Sequence, residues 1–471
     1  MKKILLPLAL SLIFASCSFN TIESDDPVPV TLNLEAGDSK APGGLITWTG
    51  LSVSGPDMTA ISLDSATITA AMNATGKVTL NVPPGNSRTF SLTASTANQY
   101  YSGVLTINIA AESTPSLTIP MKFARSNILI PDRYNSRLVQ ISGITGTGWI
   151  EQGTATDPKD TIFSLTNEPA SVDYDNYGNI YVQTMYDYGE GVDNYIYKSS
   201  SFTGTGTIWE ELAGPLYSYP AAVMHVEKDT GYVYVSSNYD EVSGNYGDYI
   251  MVILPDGSYG TSLNVQDLVT DLYSFYEMVF LPLGGGTIAV AYIYTDSVPT
   301  SYAVVEVLKY SGGSNGTWTQ ISTPATDTGT IYSSFYDASF SALKSVGNSI
   351  FLVMEYNYWN GPTPQEEFRS VQYNWDGTAV THVPLPDESA YYSYVPDLAS
   401  TVSYEYMRMF NDGTSRLYFY ATQVDSSTST AIDYVLQFQD PTFSQTEIPV
   451  QYGSTGTSTG EFHFYNYLGA Y

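Results

Sequence analysis

The chain of 471 residues holds one cysteine, Cys17, and three histidines. A single cysteine excludes an intrachain disulfide and a cysteine-built zinc site. Basic residues are scarce: 17 Lys and Arg stand against 47 Asp and Glu, a formal net charge of −30. That balance excludes nucleic-acid binding, which needs Lys and Arg to neutralise phosphates. It also excludes docking on anionic lipid through a basic patch. Beyond the start of the chain no apolar run reaches the roughly eighteen residues of a membrane-spanning helix. His225, His382 and His463 fall in separate units with no His-x-x-x-His pair, so a metalloprotease site is absent. No serine nucleophile is expected. What is abundant is tyrosine, at 41 residues, within a hydrophobic fraction of 43%. That content can bury a sizeable core, and the length fits about two to three domains.

The first residues read as a targeting signal. Met1-Lys2-Lys3 is a charged start, Ile4 to Phe14 is an apolar run too short to span a bilayer, and small Ala15-Ser16 precede Cys17. The segment 1–16 followed by Cys17 resembles a bacterial lipoprotein signal. Phe14 stands where such signals usually carry Leu, as in the relaxed signals of spirochaetes. The resemblance implies cleavage before Cys17, a diacylglycerol on its thiol and further acylation such as palmitate. Each buried lipid methylene contributes about 0.8 kcal/mol, so several chains anchor almost permanently. Cleavage removes Lys2 and Lys3, leaving 15 basic against 47 acidic residues, a net of −32. Residues 17–29 carry Glu23, Asp25 and Asp26 and end in prolines, and they read as an acidic tether. The expected location is the bacterial cell envelope, at the outer membrane, and the charge favours a monomer.

Residues 30–123 alternate apolar and polar positions in short runs, with almost no helical periodicity. Val30 to Leu34, Val78 to Val82, Phe90 to Ala94, Val104 to Ile109 and Leu117 to Ile119 are the clearest. Alternation at period two buries one face of a sheet. Gly55-Pro56-Asp57 and Pro83-Pro84-Gly85-Asn86 supply turns. An immunoglobulin-like β-sandwich acting as a spacer is the expectation. The run Val82 to Phe90 is similar to modules that directly follow bacterial lipoprotein signals.

Residues 124–471 change to degenerate repeats. With Leu129, Tyr181, Tyr234, Ala289, Phe351 and Tyr418 as markers, the intervals are 52, 53, 55, 62 and 67. A drifting period of this size with several short strands per unit predicts a β-propeller. Pro169 to Val182, with Asp173, Asp175, Gly178 and a Tyr181-Val182 strand, resembles an NHL repeat. Asp132, Asn135, Arg137 and Leu138 match the same family's segment between second and third strands. The first unit has no first strand, and Glu461 to Tyr467 is a strand without partners. Pairing the two predicts a six-bladed, NHL-like propeller closed by its C-terminal strand; seven blades is the runner-up.

The chemistry expected of this body sits on loops joining second to third strands. They run Met185 to Tyr195, Asn238 to Asp248, Thr295 to Ala303, Tyr356 to Phe368 and Gln423 to Asp433, and hold eleven acids with no Lys or Arg. Aromatic faces stack on sugar rings, and carboxylates accept sugar hydroxyls. The candidate ligand-binding residues are Tyr186, Asp187, Tyr188, Tyr239, Asp240, Tyr246, Tyr358 and Trp359. The expected function is a non-enzymatic binding or scaffold role toward a protein or glycan ligand, with no catalytic residue and no metal site. No cofactor is implied, although structural calcium among the acidic loops stays open. Two alternatives stand beside it: a propeller-type metal-dependent hydrolase or lyase, for which Asp173 and Glu277 lie near inner strands, and a purely structural surface lipoprotein.

Overall fold

The structure, a computed structural model, describes residues 26–34, 47–95, 99–142, 149–152, 168–187, 192–200, 207–217, 224–241, 243–268, 274–295, 301–322, 325–327, 337–346, 348–360, 363–383, 392–394, 402–410, 417–425, 427–428, 430–438, 450–455 and 459. The described part is all-β apart from one α-helix and a few 3-10 turns. Cys17, Tyr188 and the expected closing strand at Glu461 to Tyr467 lie outside it. The chain divides into two compact units: residues 1–37, 48–92 and 103–121, and residues 38–47, 93–102 and 122–471.

Two sheets are built from β1 (Val28–Asn33), β2 (Thr47–Ser54), β3 (Ile61–Asp64), β4 (Val78–Val82), β5 (Gly85–Ser95), β6 (Gln99–Ile109), β7 (Ser116–Thr118) and β8 (Lys122–Ser126). Their orders are β4-β1-β7 and β3-β2-β5-β6-β8. β5 and β6 each run on from the first unit into the second, and β8 pairs with the part of β6 that belongs to the second. Alternation has its expected effect in the first unit: Val28, Val30 and Leu32 are buried on β1, as are Val78, Leu80 and Val82 on β4. Each such side chain contributes about 1.5–3 kcal/mol. One expectation fails here, because α1 (Ser65–Thr75) is helical. The Asp64 carboxylate accepts from Thr67 N at 2.9 Å, and Gly76, at φ 68°, closes the last turn onto Met72 O. A side-chain N-cap and a left-handed glycine supply the boundary signals. The Val82 to Phe90 run has its own lock. Buried Arg88 donates to the carbonyls of Pro83 at 3.0 Å, Pro84 at 2.5 Å and Pro56.

The second unit carries six successive sheets. The first is β9 (Ile128–Asp132), β10 (Arg137–Ile141) and β11 (Ile150–Gln152). The second is β12 (Glu168–Tyr174), β13 (Ile180–Asp187), β14 (Val192–Ser199) and β15 (Glu210–Tyr217). The third is β16 (Met224–Val226), β17 (Val233–Asp240), β18 (Asn245–Ile253) and β19 (Leu263–Asn264). The fourth is β20 (Ser274–Gly284), β21 (Thr287–Thr295), β22 (Ser301–Ser311) and β23 (Thr317–Gln320), with β24 (Ala325–Asp327) also on β22. The fifth is β25 (Asp337–Val346), β26 (Ser349–Asn360), β27 (Thr363–Trp375) and β28 (Val380–His382), with β29 (Tyr392–Tyr394) also on β27. The sixth is β30 (Val402–Phe410), β31 (Leu417–Asp425), β32 (Thr430–Phe438) and β33 (Val450–Tyr452). Every pairing in them is antiparallel.

The five later markers, Tyr181 to Tyr418, all fall in second strands, and Leu129 falls in the edge strand of the three-stranded first sheet. Core forms between consecutive sheets. Leu129 and Leu138 pack with Ile180 and Val182, Ile196 and Leu216 with Val233 and Val235, Tyr234 and Ile250 with Phe280 and Ile288. Val279 and Ala291 pack with Leu343 and Leu352. The sixth sheet packs on the first: Tyr420 and Val435 meet Ile128 and Val139, and the Tyr420 hydroxyl donates to Leu129 O at 2.6 Å. The first strands also touch in series, β12 with β16, β16 with β20, β20 with β25 and β25 with β30.

Candidate functional site

The hairpins joining second to third strands correct the expectation of long loops. β13 and β14 are paired through Asp187 and Val192, β17 and β18 through Asp240 and Asn245, and β26 and β27 through Asn360 and Thr363. Most of the acidic, tyrosine-rich sequence is therefore strand. Tyr, Trp and Thr are strong strand formers, and cross-strand aromatic pairs stabilise a ladder.

The predicted residues distribute over three such hairpins. Tyr186 and Asp187 end β13, opposite Asp193 and Val192. Tyr358 and Trp359 sit on β26, opposite Gln365 and Pro364. Tyr239, Asp240 and Tyr246 come together on the third sheet. The Tyr239 and Tyr246 rings lie 5.1 Å apart at 58°, with Tyr246 exposed and Asp240 buried. Glu241 stands beside Asp240 and Asp193, and partial burial together with these like charges raises its carboxyl above the ordinary range. No group of three metal ligands occurs among the described residues.

The motif Asp173 to Gly178, which outwardly suggests a calcium loop, is a saturated turn. Asp175 Oδ1 accepts from Tyr177 N and Asn179 N, both at 2.9 Å. Its Oδ2 accepts from Asn179 Nδ2 at 2.7 Å and the Tyr181 hydroxyl at 2.9 Å. Four donors leave the carboxylate committed to the fold, and burial together with Asp175 pushes the Tyr181 phenol up. Asp132 has the same character. It takes Arg137 Nε at 2.7 Å and Asn135 Nδ2 at 2.9 Å, and Arg137 also reaches Glu151 at 3.0 Å. The residues that match the NHL pattern are thus turn and hairpin clamps.

The Gly-x-Ser-x-Gly spacing occurs after all, at Gly312 to Gly316 and at Gly456 to Gly460. The first is a 3-10 turn between antiparallel β22 and β23 with Ser314 exposed. A nucleophile elbow needs a strand-to-helix turn, which this is not. Most of the second lies outside the described residues.

At the opposite end of the second and third sheets from these hairpins, a different cluster forms across the sheet boundary. Asp173, at the end of β12, accepts from Val226 N at 2.8 Å through Oδ2. Its Oδ1 accepts from Tyr174 N at 2.8 Å and from the Lys228 ammonium. Lys228 Nζ also donates to Tyr174 O at 2.6 Å and sits 3.7 Å from the Tyr174 ring centre. Of its three N–H donors, one has no hydrogen-bond acceptor among the described residues. His225 Nδ1 lies 3.9 Å from Asp173 Oδ2, and its ring meets Phe280 edge-on at 5.6 Å. Desolvation pushes the His225 imidazole down to about 4, overriding the pull of Asp173. It is neutral at physiological pH, and 26% of the side chain is exposed. The arrangement offers a neutral proton acceptor beside a fixed cation. Of the inner-strand pair considered from sequence, Asp173 belongs to this cluster; Glu277 lies on β20, and its side chain falls outside the described residues.

The turns between first and second strands are hydrogen-bonded to one another across sheets. Asn176 N donates to Lys228 O at 2.7 Å and Asn176 Nδ2 to Asp229 Oδ1 at 2.7 Å. Buried Glu227 accepts from Thr230 Oγ1 and from Gly286 N of the fourth sheet. Gly286, at φ 79°, is required there, since a Cβ would fall 2.2 Å from Tyr310 O. These bonds join three sheets into one continuous turn face.

No family model and no curated protein sequence matches the chain. Among solved structures, polysaccharide lyase Uly1 is similar at a TM-score of 0.34 and 9% identity, over 74% of this chain and 87% of that one. An α-L-arabinanase of Cellvibrio cellulosa complexed with arabinohexaose is similar at a TM-score of 0.28 and 11% identity, over 55% and 94%. These neighbours, a lyase and an arabinanase, run against the expected non-enzymatic binding or scaffold role, which is therefore withdrawn. Neither likeness assigns a residue or a substrate to this chain.

Proposed function

We propose that this chain is a lipid-anchored envelope enzyme that cleaves a uronate-containing polysaccharide by β-elimination. The observation that carries the reading is the Asp173–His225–Lys228 cluster. Glycoside hydrolysis ordinarily needs two carboxylates flanking the bond, one of them free to protonate the leaving group. Here Asp173 accepts from Tyr174 N, Val226 N and the Lys228 ammonium, which favours its charged form over one that protonates a leaving group. A neutral imidazole beside an ammonium suits proton abstraction α to a carboxylate instead. The spare Lys228 N–H binds the sugar carboxylate and offsets the charge that develops on it. His225 Nε2 accepts the proton from the carbon bearing that carboxylate. The electron pair forms the ring double bond as the glycosidic oxygen departs, and water protonates that oxygen. Arrival of an anionic sugar raises the imidazole's proton affinity at the moment it is needed.

The scaffold belongs to the same proposal. A six-bladed, NHL-like propeller accounts for six sheets in series and for the Tyr420–Leu129 hydrogen bond. Residues 30–123 form the immunoglobulin-like spacer, and Cys17 carries the lipid that holds the protein, as a monomer, at the outer membrane. C17S is expected to move the protein from the membrane to the soluble fraction and abolish palmitate labelling.

The activity is tested with the full chain in detergent, on oligogalacturonate and on neutral arabinan. The expected result is an ultraviolet-absorbing unsaturated product from the uronate alone, with kcat lowered at least about a hundredfold in His225→Gln. New reducing ends without that chromophore, or full activity in His225→Gln, overturn the reading.

A further inference from the structure

A cleft of about 520 Å³ opens between the fourth and fifth sheets, lined by Thr287, Lys309, Ile321, Trp375, Gly377 and Thr378 among others. The volume is that of a small-molecule site, roughly 300–1,000 Å³. Its floor is apolar and fixed, because Ile321 and Trp375 pack against the core shared by the two sheets. Trp375 is anchored by its own backbone, which donates to Asn348 O at 2.7 Å. The half-buried Trp375 side chain lines the cleft.

Lys309 gives the cleft its charge. It ends β22 opposite Thr287 and is exposed. Among the described residues no hydrogen bond or ion pair engages its ammonium, in a chain where acids outnumber bases 47 to 17. The nearest acid in sequence on the opposite wall, Asp376, holds its own turn: its Oδ1 takes Thr378 N, Thr378 Oγ1 and Ala379 N, each at 2.8 Å. Those bonds hold its carboxyl below the usual range. A lysine, an aromatic ring and a threonine lining one cleft are the chemistry that binds a carboxylated sugar.

The cleft belongs to the turn face. Gly284, at its rim, lies in the turn bonded to Glu227, and Asp229 reaches within 3.7 Å of where a Gly284 side chain would start. Asp229 is bonded in turn to Asn176 beside the Asp173 cluster. From Lys228 to Lys309 the face is continuous, with Asp229 between them to accept sugar hydroxyls.

We infer that this cleft is a second subsite, which holds another uronate residue of the same polysaccharide by stacking on Trp375 and pairing with Lys309. The inference rests on the lyase reading of the turn face for its substrate. The test measures binding by calorimetry on the full chain carrying His225→Gln, so that nothing turns over. The probes are oligogalacturonate, its neutral methyl ester and inorganic sulfate. Oligogalacturonate is expected to bind at least about tenfold more tightly than the ester, and K309Q to erase that preference. W375A is expected to weaken both saccharides about tenfold, with W375F recovering part of the loss. Unchanged affinities in K309Q and W375A overturn the subsite, as does an adventitious ion only, with sulfate alone binding at Lys309. Circular dichroism establishes that each variant is folded. Binding through Lys309 and Trp375, together with a wild-type chain that cleaves no oligogalacturonate, supports the subsite and sinks the lyase reading. Cleavage with binding indifferent to both residues sinks the subsite alone.

Discussion

Replacing Asp175 by Ala removes the acceptor of four hydrogen bonds, from Tyr177 N, Asn179 N, Asn179 Nδ2 and the Tyr181 hydroxyl. Three of those donors sit in a partly exposed turn and regain water. The fourth does not, because Tyr181 is fully buried. A stranded buried donor costs about 1–3 kcal/mol, and loss of a charged acceptor from the turn adds a similar amount. D175A is therefore expected to destabilise the second unit by about 3–5 kcal/mol. Tyr181→Phe alone costs about 1 kcal/mol, since Asp175 keeps three donors. In the double variant the stranded hydroxyl is gone, so the two effects fall short of additivity by about 1–2 kcal/mol. Urea unfolding followed by tryptophan fluorescence reads this, because five of the six tryptophans lie after residue 124. Strict additivity, or a D175A cost below about 1 kcal/mol, would refute the account of the turn.

Three further outcomes follow from buried groups. Between the ordinary imidazole value and about 4, the unfolded chain binds a proton at His225 that the folded chain refuses. Stability should thus fall as pH drops through that window, by about 1–3 kcal/mol, and the loss should vanish in His225→Gln; an unchanged pH profile contradicts the burial. Glu306 is buried, accepts from Gln320 Nε2 at 2.7 Å and from the Tyr292 hydroxyl, and burial outweighs both bonds and raises its carboxyl. Its charged form costs stability as pH rises above the ordinary carboxyl value, so Glu306→Gln should stabilise at pH 7 by about 1–2 kcal/mol and have less effect near pH 4; thermal melts at the two pH values decide it. Arg88→Met leaves three carbonyls without their shared donor and should cost the first unit about 2–4 kcal/mol, measured as loss of hydrogen-exchange protection around Pro83 to Phe90.

Period-two alternation and recurring Tyr-Val strands made the sheets legible, because sheet burial is local and repeats every second residue. Asp175, Gly178, Asp132 and Arg137 were legible as repeat residues for the same reason: each clamps a turn or hairpin within a few positions of itself. Helix α1 was hidden by its composition. Thr and Ile read as strand, whereas four Ala residues and the Asp64 and Gly76 boundaries mark the segment as helical. The acidic stretches read as loops because Gly, Asp and Asn outweighed the tyrosines, yet cross-strand pairing such as Tyr239 with Tyr246 carries the ladder through them. The Asp173 cluster was the least accessible. Asp173 and Lys228 stand 55 positions apart, and only the packing of β12 on β16 brings them together. No spacing rule connects Lys309 to Trp375 either, since they come from different sheets.

The most direct measurement is the ultraviolet progress curve of oligogalacturonate incubated with the wild-type chain, His225→Gln and Lys228→Met. The account predicts a rising unsaturated chromophore for the wild type and a rate at least about a hundredfold lower in both variants. Wild-type chain that produces no chromophore, or variants that match it, would contradict the assignment of chemistry to the turn face.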